Sequence, residues 1–462
     1  MDRDTLLQAT ARHARAFLDS VPHRPVAPNA TLEELRASLA GPLPSGPDDP
    51  TAVIDALVAE VEPGLLVTPS PRFFGFVIGG TLPVALAADW LTSAWDQNHG
   101  LYVASPAASV VEETAAAWLL ELLALPTESS VGFVTGGQMA NFTALAAARY
   151  HVLEDAGWDL NARGLTGAPA IRVLAGAEHH VTIPRALRFL GIGTDAIVEI
   201  KADGQGRMRP DALRGALRAS DGPTIVCAQV GNVNSGAIDD VGAICDSAHE
   251  HGAWVHVDGA FGLWAAAAPS TQPLLAGIER ADSWATDAHK WLNVPYDSGV
   301  AICAHPSAHR AAMSVQASYL VHAEEGRERD PMDWNPEFSR RARALTTYAT
   351  IKALGRSGIA EMIERGCANA RRFADELAGA PGVEVLNEVV LNQVLVRFGD
   401  DDHQTKAVIE RVQADGTCWL GGSVWKGRHV MRISVSNWAT SSEDVDRSVD
   451  AILRCAASLG SQ

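Results

Sequence analysis

Residues 223–260 read PTIVCAQVGNVNSGAIDDVGAICDSAHEHGAWVHVDGA, and their pattern decides the fold class. An apolar run at 223–230 is followed by an amphipathic segment near 239–252 and then by a second apolar run that ends at Asp258. A strand, a helix and a strand in this order are typical of a βαβ crossover with parallel strands. The stretch therefore predicts an α/β fold built on a largely parallel sheet.

The same cadence continues on both sides of this unit. Apolar "VGFV" (131–134), "AIRVLAG" (170–176) and "AIVEI" (196–200) each precede an amphipathic segment. After about residue 356, helical segments alternate with "LNQVLVRF" and "HVMRISVS", which predicts a smaller α+β domain. Proline-rich loops break up the first 65 residues. We therefore expect a helical arm at 1–65, a large domain at 66–355 and a small domain at 356–462.

Composition excludes several classes of function. The chain has 462 residues and a formal net charge of −18, which disfavours binding to nucleic acid and to anionic membranes. The start lacks the apolar core of a secretory signal, and no run of 18 apolar residues predicts a membrane span. Six scattered cysteines without a CxxC pair are typical of buried thiols in a reducing compartment. We therefore expect a cytoplasmic protein.

One lysine stands out by its position. Residues 286–299 read TDAHKWLNVPYDSG, with an apolar run before them and another after them. Lys290 therefore lies at a strand end, where α/β sheets bind ligands. A lysine is a nucleophile only in its neutral form, which apolar surroundings favour. A plain exposed lysine after a strand is the alternative.

Three further elements carry polar groups at strand ends. Asp258 ends an apolar strand, where a carboxylate is costly to bury without a partner, and it could keep a heteroaromatic nitrogen protonated. Gly136 and Gly137 open a helix whose N–H groups could bind an anion, although two glycines before a helix are more often simple turn chemistry. His179 and His180 open another helix, either as capping or surface groups or with an imidazole that stacks on a ring.

Together these elements resemble the group II pyridoxal-phosphate-dependent amino-acid decarboxylases, which include the aromatic-L-amino-acid decarboxylases. The motifs "DAHKWLNVPYDSG", "HVDGAFG", "GNVNSGAIDD" (231–240) and "RFFGFVIGG" (72–80) carry the resemblance, which covers roughly residues 65–440. It implies a type I aminotransferase-like fold of the pyridoxal-phosphate (PLP)-dependent transferases, with a large mostly parallel-sheet domain and a small α+β C-terminal domain. It also implies pyridoxal 5′-phosphate as cofactor, an amino-acid substrate and a homodimer.

The resemblance assigns roles residue by residue. It makes Lys290 the lysine that binds the cofactor covalently, Asp258 the partner of the pyridine nitrogen and His180, rather than His179, the imidazole that stacks on the ring. The other cofactor positions are Gly137, Gln138, Asn232, Ala260 and His289, of which Asn232 is the loosest match. Phe73, Phe76 and Tyr102 match the substrate-pocket region, with plain core as the alternative. Arg432 matches an arginine that holds a substrate carboxylate in related folds, unless it forms a structural ion pair.

The chain departs from the family in the loop that supplies a tyrosine as proton donor. Pro331 aligns with that tyrosine, and the only tyrosine in the segment is Tyr319 at its far end. His322 is the alternative acid, since histidine titrates near neutral pH. We expect decarboxylation of an L-amino acid with an aromatic or bulky side chain to the amine. Oxidative deamination to an aldehyde, or another carbon–carbon lyase reaction, is the alternative.

Two other classes of protein compete with this interpretation. A metal hydrolase would use His249, His251, His256 and Asp258, but strand alternation separates the last two from the others, and we expect no metal site. A non-catalytic cofactor-binding scaffold would explain the absent tyrosine, although Lys290 and Asp258 argue against it.

Overall fold

The structure is a computed structural model that describes residues 2–219, 221–315 and 328–459. Two residues of the sequence analysis, Tyr319 and His322, lie outside these ranges. Within the ranges, no helix combines the length and the apolar character that a bilayer crossing requires. The six cysteines are buried and unpaired, as their scattered positions predicted.

The larger sheet contains the strands that the βαβ pattern predicted. Its seven strands are β1 (Ser130–Val134), β2 (Arg172–Gly176), β3 (Ile197–Ile200), β4 (Thr224–Gln229), β5 (Trp254–Asp258), β6 (Ser283–Asp287) and β7 (Gly299–Cys303). Their spatial order is β1-β7-β6-β5-β4-β2-β3. The five strands β2 to β6 run parallel to each other, and β7 runs antiparallel to both β1 and β6. The predicted type I fold with a largely parallel sheet is confirmed.

Helices cover this sheet and make its central strands fully buried. They are α5 (Pro106–Leu122), α6 (Gly137–Asp155), α7 (Leu160–Arg163), α8 (Thr182–Phe189), α9 (Pro210–Arg218), α10 (Val241–His249) and α11 (Pro306–Met313). Asp240 caps α10 by accepting a hydrogen bond from the N–H of Ala243, which fixes where that crossover helix begins. Strands β4 to β7 are buried along almost their whole length. The sequences of β4 (TIVCAQ) and β7 (GVAIC) are correspondingly apolar without alternation, whereas β5 and β6 each end in an aspartate.

The C-terminal part forms a second, smaller sheet. Its strands β8 (Val383–Val385), β9 (Gln393–Phe398), β10 (Gly421–Trp425) and β11 (Arg428–Ser434) are antiparallel, in the order β10-β11-β9-β8. Helices α13 (Asp402–Asp415) and α14 (Ser442–Ala457) pack against it. The long helix α12 (Ala344–Ala378) joins the two sheets and is kinked at Gly355, whose φ of 60° is a conformation suited to glycine.

The first hundred residues expose many apolar side chains. This region contains α1 (Arg3–Ser20), α2 (Leu32–Leu39), α3 (Pro50–Val61) and α4 (Pro83–Trp95). Exposed apolar residues on these helices form what we call the N-terminal apolar face: Leu7, Leu18, Leu32, Leu39, Val53, Leu57, Trp90, Leu91 and Trp95. Two neighbouring grooves, of about 720 Å³ and 450 Å³, share Leu18 and Trp90 in their linings. Several exposed apolar side chains beside apolar grooves are typical of an interaction site.

Candidate active site

The candidate site forms where parallel strands end and the next segments begin. Asp258 is the last residue of β5, and Asp287 is the last residue of β6. Gly137 is the first residue of α6, which follows β1, and His180 lies between β2 and α8. The carboxyl ends of β2, β5 and β6 lie at one edge of the sheet, so the fold brings these residues together from distant parts of the sequence.

Lys290 is held by a carboxylate that the sequence analysis did not select. Its Nζ lies 2.9 Å from Oδ2 of Asp287, whose side chain is buried. The other oxygen of Asp287 accepts a hydrogen bond from the backbone N–H of Gly137 at the start of α6. The neighbours Ala288 and Trp291 are buried, in agreement with the predicted apolar surroundings. The side-chain nitrogen of Lys290 itself lies beside the Asp287 carboxylate and not among apolar groups.

His289 is fixed at both ring nitrogens. Its Nδ1 accepts a hydrogen bond from Ser298 N–H at 3.1 Å, so the proton of the neutral ring is on Nε2, 3.2 Å from Asp287 Oδ1. The ring also lies against Tyr296, with centroids 4.2 Å apart. Burial lowers the pKa of His289 although Asp287 raises it, which favours the neutral form.

Asp258 lies in a network of hydrogen-bond donors. Its Oδ2 accepts from Asn141 Nδ2 at 3.2 Å and from Thr182 Oγ1 at 3.4 Å, and its Oδ1 accepts from Ala260 N–H at 3.2 Å. Thr182 also contacts His180, with 2.9 Å between Oγ1 and Nδ1. Burial lowers the pKa of His180, and the opposing effect of Asp258 is smaller. The buried carboxylate of Asp258 and the neutral imidazole of His180 therefore lie close together, with Thr182 in contact with both.

The other residues predicted to bind the cofactor differ in their hydrogen-bond partners. Gln138 donates to Thr182 O at 3.3 Å, and Ala260 O accepts from Asp287 N–H at 2.8 Å, so both lie among the groups described above. Asn232 is engaged in its own loop. Its Nδ2 donates to Glu178 O and Gln229 Oε1, and its Oδ1 accepts two backbone N–H groups.

The predicted substrate residues divide into accessible and buried positions. Arg432 lies on β11 and contributes to the electrostatics around His180. In the part of the chain that the structure describes, its guanidinium donates one hydrogen bond, to Val233 O at 3.3 Å. Phe73 is fully buried and stacks on Trp419 with centroids 5.1 Å apart. Phe76 is 59% exposed and lies 5.3 Å from the same indole.

Tyr102 lies at the start of a short 3-10 turn before α5, and its backbone N–H donates to Asp330 Oδ1 at 2.9 Å.

The histidines of the metal interpretation are dispersed. His249 is 3.0 Å from Asp282, and His251 contacts Ser247 O, whereas His256 lies between Asn141 and Ser283. Over the described ranges, no three His, Cys, Asp or Glu side chains gather in an arrangement that could hold a metal ion.

Sequence reasoning missed Asp287, Asn141 and Thr182. Each has a signal in a motif that was already selected. Asp287 ends the strand three residues before Lys290, Asn141 lies one helical turn after Gly137, and Thr182 follows His180 by two residues. The motifs by themselves do not show that these three residues lie close together in the fold.

The arrangement fits pyridoxal 5′-phosphate. Because Gly137 N–H binds the carboxylate of Asp287, the start of α6 demonstrably accepts an anionic oxygen, which a phosphate also offers. A Cβ at residue 137 would lie 2.6 Å from Asp287 Oδ2, so any larger residue there would displace that carboxylate. Lys290 offers an amine and Asp258 a buried carboxylate, which suit the aldehyde and the ring nitrogen of that cofactor.

Comparisons with known proteins agree with this chemistry. The family model described as the pyridoxal-dependent decarboxylase conserved domain matches residues 33–398. Tryptophan decarboxylase 1 of Oryza sativa subsp. japonica is 31% identical over 91% of this chain and 87% of its own length. Acidic amino acid decarboxylase GADL1 of Homo sapiens is 29% identical over 83% of this chain and 77% of its own.

A solved structure extends the similarity to the whole fold. The crystal structure of Oryza sativa TDC with PLP and tryptamine superposes with a TM-score of 0.92 at 26% identity. The superposition covers 99% of this chain and 98% of that one.

Proposed function

Because this chain belongs to the pyridoxal-dependent decarboxylase family, we propose that the cluster around Lys290 acts on an L-amino acid with an aromatic or otherwise bulky side chain. The enzyme is a lyase that uses pyridoxal 5′-phosphate to decarboxylate an amino acid. The observation that carries the residue assignment is the meeting of Lys290, Asp287 and the N-terminus of α6.

Residues of this chain would hold the cofactor at four points. Lys290 would bind it covalently, and the N–H groups of Gly137 and Gln138 at the start of α6 would hold its phosphate. His180 would stack on one face of its ring, and the small side chain of Ala260 would allow close approach to the other. When bound, the cofactor supplies an electron-poor ring that accepts the electron pair left when carbon dioxide departs.

Asp258 and His180 set the electrostatics of that ring. The Asp258 carboxylate receives hydrogen bonds from Asn141, Thr182 and Ala260, which orient it towards a positively charged partner. The imidazole of His180 is tied to Thr182, and burial lowers its pKa, so it adds no positive charge to the site at neutral pH.

A proton must then be delivered to the substrate carbon that lost carbon dioxide. We propose His322 as its donor, although this residue lies outside the described ranges. Pro331, which stands at the position of the family's tyrosine, is buried at the start of a 3-10 turn and has no acidic group. This observation favours one second candidate: without a donor, molecular oxygen takes two electrons from the same carbon and becomes hydrogen peroxide. Water then displaces the nitrogen as ammonia, and the product is an aldehyde instead of an amine.

Three residues support the proposed substrate class. The guanidinium of Arg432 has spare donors beside His180 and is suited to a carboxylate of the substrate. Phe76 is accessible beside Trp419 and suits an aromatic or bulky side chain of the substrate. We propose that Tyr102 also contacts the substrate. Phe73 is better explained as the buried support of Trp419.

The proposed molecule is a cytoplasmic homodimer with three parts in each chain. The N-terminal apolar face supports a second copy of this chain as its occupant, because a large exposed apolar surface is typical of homodimer interfaces. The division into 1–65, 66–355 and 356–462 is our proposal, and the kink of α12 at Gly355 coincides with its second boundary. The buried free thiols suit a reducing compartment.

Lys290→Ala is the direct test of the assignment. We expect the variant to fold, to lose the visible absorption of covalently bound cofactor and to lose turnover by at least about 1,000-fold, since the nucleophile is absent. Lys352→Ala is the matched control, because Lys352 is exposed on α12 and contacts only Tyr348 in the described chain. Retention of the absorption band and of turnover in Lys290→Ala would refute the role of this lysine.

The product distinguishes the two candidate reactions. The wild-type enzyme is incubated with a panel of aromatic, bulky and acidic L-amino acids, and carbon dioxide, amine, aldehyde and hydrogen peroxide are measured. We expect amine equal to carbon dioxide for an aromatic or bulky substrate. Aldehyde with an equal amount of peroxide would establish the oxidative reaction, and turnover of acidic amino acids alone would contradict the proposed substrate class.

A further inference from the structure

A chain of buried hydrogen bonds lies behind Asp258 and is not used by the function described so far. Trp254 Nε1 is 2.9 Å from Ser283 Oγ, and Ser283 Oγ is 3.0 Å from His256 Nδ1. His256 Nε2 is 2.9 Å from Asn141 Oδ1, and Asn141 Nδ2 is 3.2 Å from Asp258 Oδ2. Trp254, Ser283, His256 and Asn141 are all at least 98% buried.

The chemistry at the two ends fixes the direction of every bond. An indole nitrogen can only donate, so Ser283 Oγ accepts from Trp254. An ionised Asp258 can only accept, so the NH₂ group of Asn141 faces it and the carbonyl oxygen Oδ1 faces His256. Nε2 of His256 must then carry the proton and donate to that oxygen, which leaves Nδ1 to accept from the hydroxyl of Ser283.

The surroundings keep His256 in this neutral form. Burial lowers the pKa of His256 to about 4, while Asp258 raises it by a smaller amount. Its neighbours in the sheet are Ser283 on β6 and Cys227 on β4, and burial raises the pKa of the Cys227 thiol, so both are uncharged at neutral pH. Asn141 reaches it from α6 and is also uncharged.

We propose that Asn141 and His256 are positioning residues: His256 Nε2–H holds the Asn141 amide so that its NH₂ group faces the Asp258 carboxylate, and this fixes the orientation of that carboxylate. The inference rests on the proposed role of Asp258 as partner of the cofactor's ring nitrogen. It gives a structural role to His256, which the sequence analysis named only as a candidate metal ligand. Asn141 also donates to Thr182 at 3.1 Å, so the same amide aligns the residue that contacts His180.

The protonation pattern is tested without cofactor or substrate. Nitrogen-15 NMR of histidine-labelled, cofactor-free protein, with His256 assigned from its absence in His256→Gln, reports which ring nitrogen carries the proton. We expect a proton on Nε2 alone between pH 8 and pH 5. A proton on Nδ1, or a doubly protonated ring in this range, would overturn the proposal whatever the enzyme's activity.

The consequence for the site is tested with substitutions of nearly equal size. Asn141→Asp replaces the donating NH₂ with an oxygen beside Asp258, so the two carboxyl groups must share a proton. We expect a fall in kcat of about 10-fold to 100-fold with KM nearly unchanged, the size of effect that partners behind a binding group have. We also expect a shift in the pH midpoint of the visible absorption of bound cofactor.

Controls separate positioning from general damage to the core. Asn369→Asp introduces the same change at a buried asparagine that donates to Thr440 O, and it should leave the absorption midpoint unchanged. His256→Gln retains a donor near the place of Nε2 and should keep more of the wild-type kcat than His256→Phe. Equal midpoints in Asn141→Asp and Asn369→Asp, or equal kcat in the two His256 variants, would contradict the proposal. Failure of the Lys290→Ala test would instead reject the proposed function, and the NMR result would be unaffected.

Discussion

Asp287 contacts three groups of the site at once. Its carboxylate accepts from Gly137 N–H, forms the ion pair with Lys290 Nζ and lies 3.2 Å from His289 Nε2. An anion is therefore already present at the start of α6, where the phosphate of the cofactor would be held. Binding of that phosphate places further negative charge beside a buried carboxylate, which opposes it electrostatically.

Asp287→Asn should therefore bind pyridoxal 5′-phosphate more tightly. The amide oxygen can still accept from Gly137 N–H, but the negative charge and the ion pair with Lys290 are lost. We expect a dissociation constant lower by about 10-fold, or about 1.4 kcal/mol, in a titration of cofactor-free protein followed by visible absorption. Asp297→Asn is the control, because it removes the same charge from a residue that pairs with Arg343. Weaker binding in Asp287→Asn would show that the carboxylate assists the cofactor.

At the scale of elements, a buried ion pair ties α5 to the segment that leads into α12. Glu112 on α5 lies 3.0 Å from Arg340 Nη1 and 3.0 Å from His99 Nε2, and all three side chains are at most 1% exposed. Burial raises the pKa of Glu112, but Arg340, His99 and Arg329 together outweigh burial and lower the pKa to about 2. The charged form of Glu112 is thus the one that the folded protein requires.

Glu112→Gln should destabilise the protein because it leaves Arg340 buried without its charge partner. We expect a loss of about 3 to 5 kcal/mol in the free energy of unfolding, measured with urea at pH 7. Glu121→Gln on the same helix is the control, since its pair with Arg356 is exposed, and it should cost less than about 1 kcal/mol. A similar loss in the two variants would contradict this account.

The pH dependence of this pair follows from the direction of the shift. Because the folded pKa of Glu112 lies below the ordinary value of 4.5, its contribution is complete above that value and is lost as the pH falls towards about 2. The stability difference between wild type and Glu112→Gln should therefore shrink over this range.

At the scale of the whole molecule, the N-terminal apolar face is the surface that we assign to a second copy of this chain. Trp90 is 45% exposed and lines both grooves on this face. We expect Trp90→Glu to weaken self-association by about 30-fold, or about 2 kcal/mol, as loss of a central aromatic side chain does. Sedimentation equilibrium over a range of concentrations measures it. Phe189→Glu on α8, which is 54% exposed, should leave association unchanged.

The sequence predicted those features that one segment encodes by itself. Lys290 and Asp258 were selected because Asp258 ends an apolar run and Lys290 lies shortly after one. The parallel strands were predicted because apolar runs alternate with helical segments. The antiparallel direction of β7 was not predicted, since a buried apolar run looks the same in both directions. Asp287 and Asn141 were missed because their roles depend on how α6 packs against β5 and β6.

The hairpin between β6 and β7 has a consequence for protein engineering. Asp287 and Gly299 face each other in the antiparallel register, so residues 288–298, with Lys290 among them, form a loop closed at both ends by buried strands. An inserted or deleted residue must be absorbed within this loop, because a one-residue shift of β7 along its neighbours would turn its side chains to the opposite face. Libraries that vary this loop should therefore change residue identities and keep its length constant.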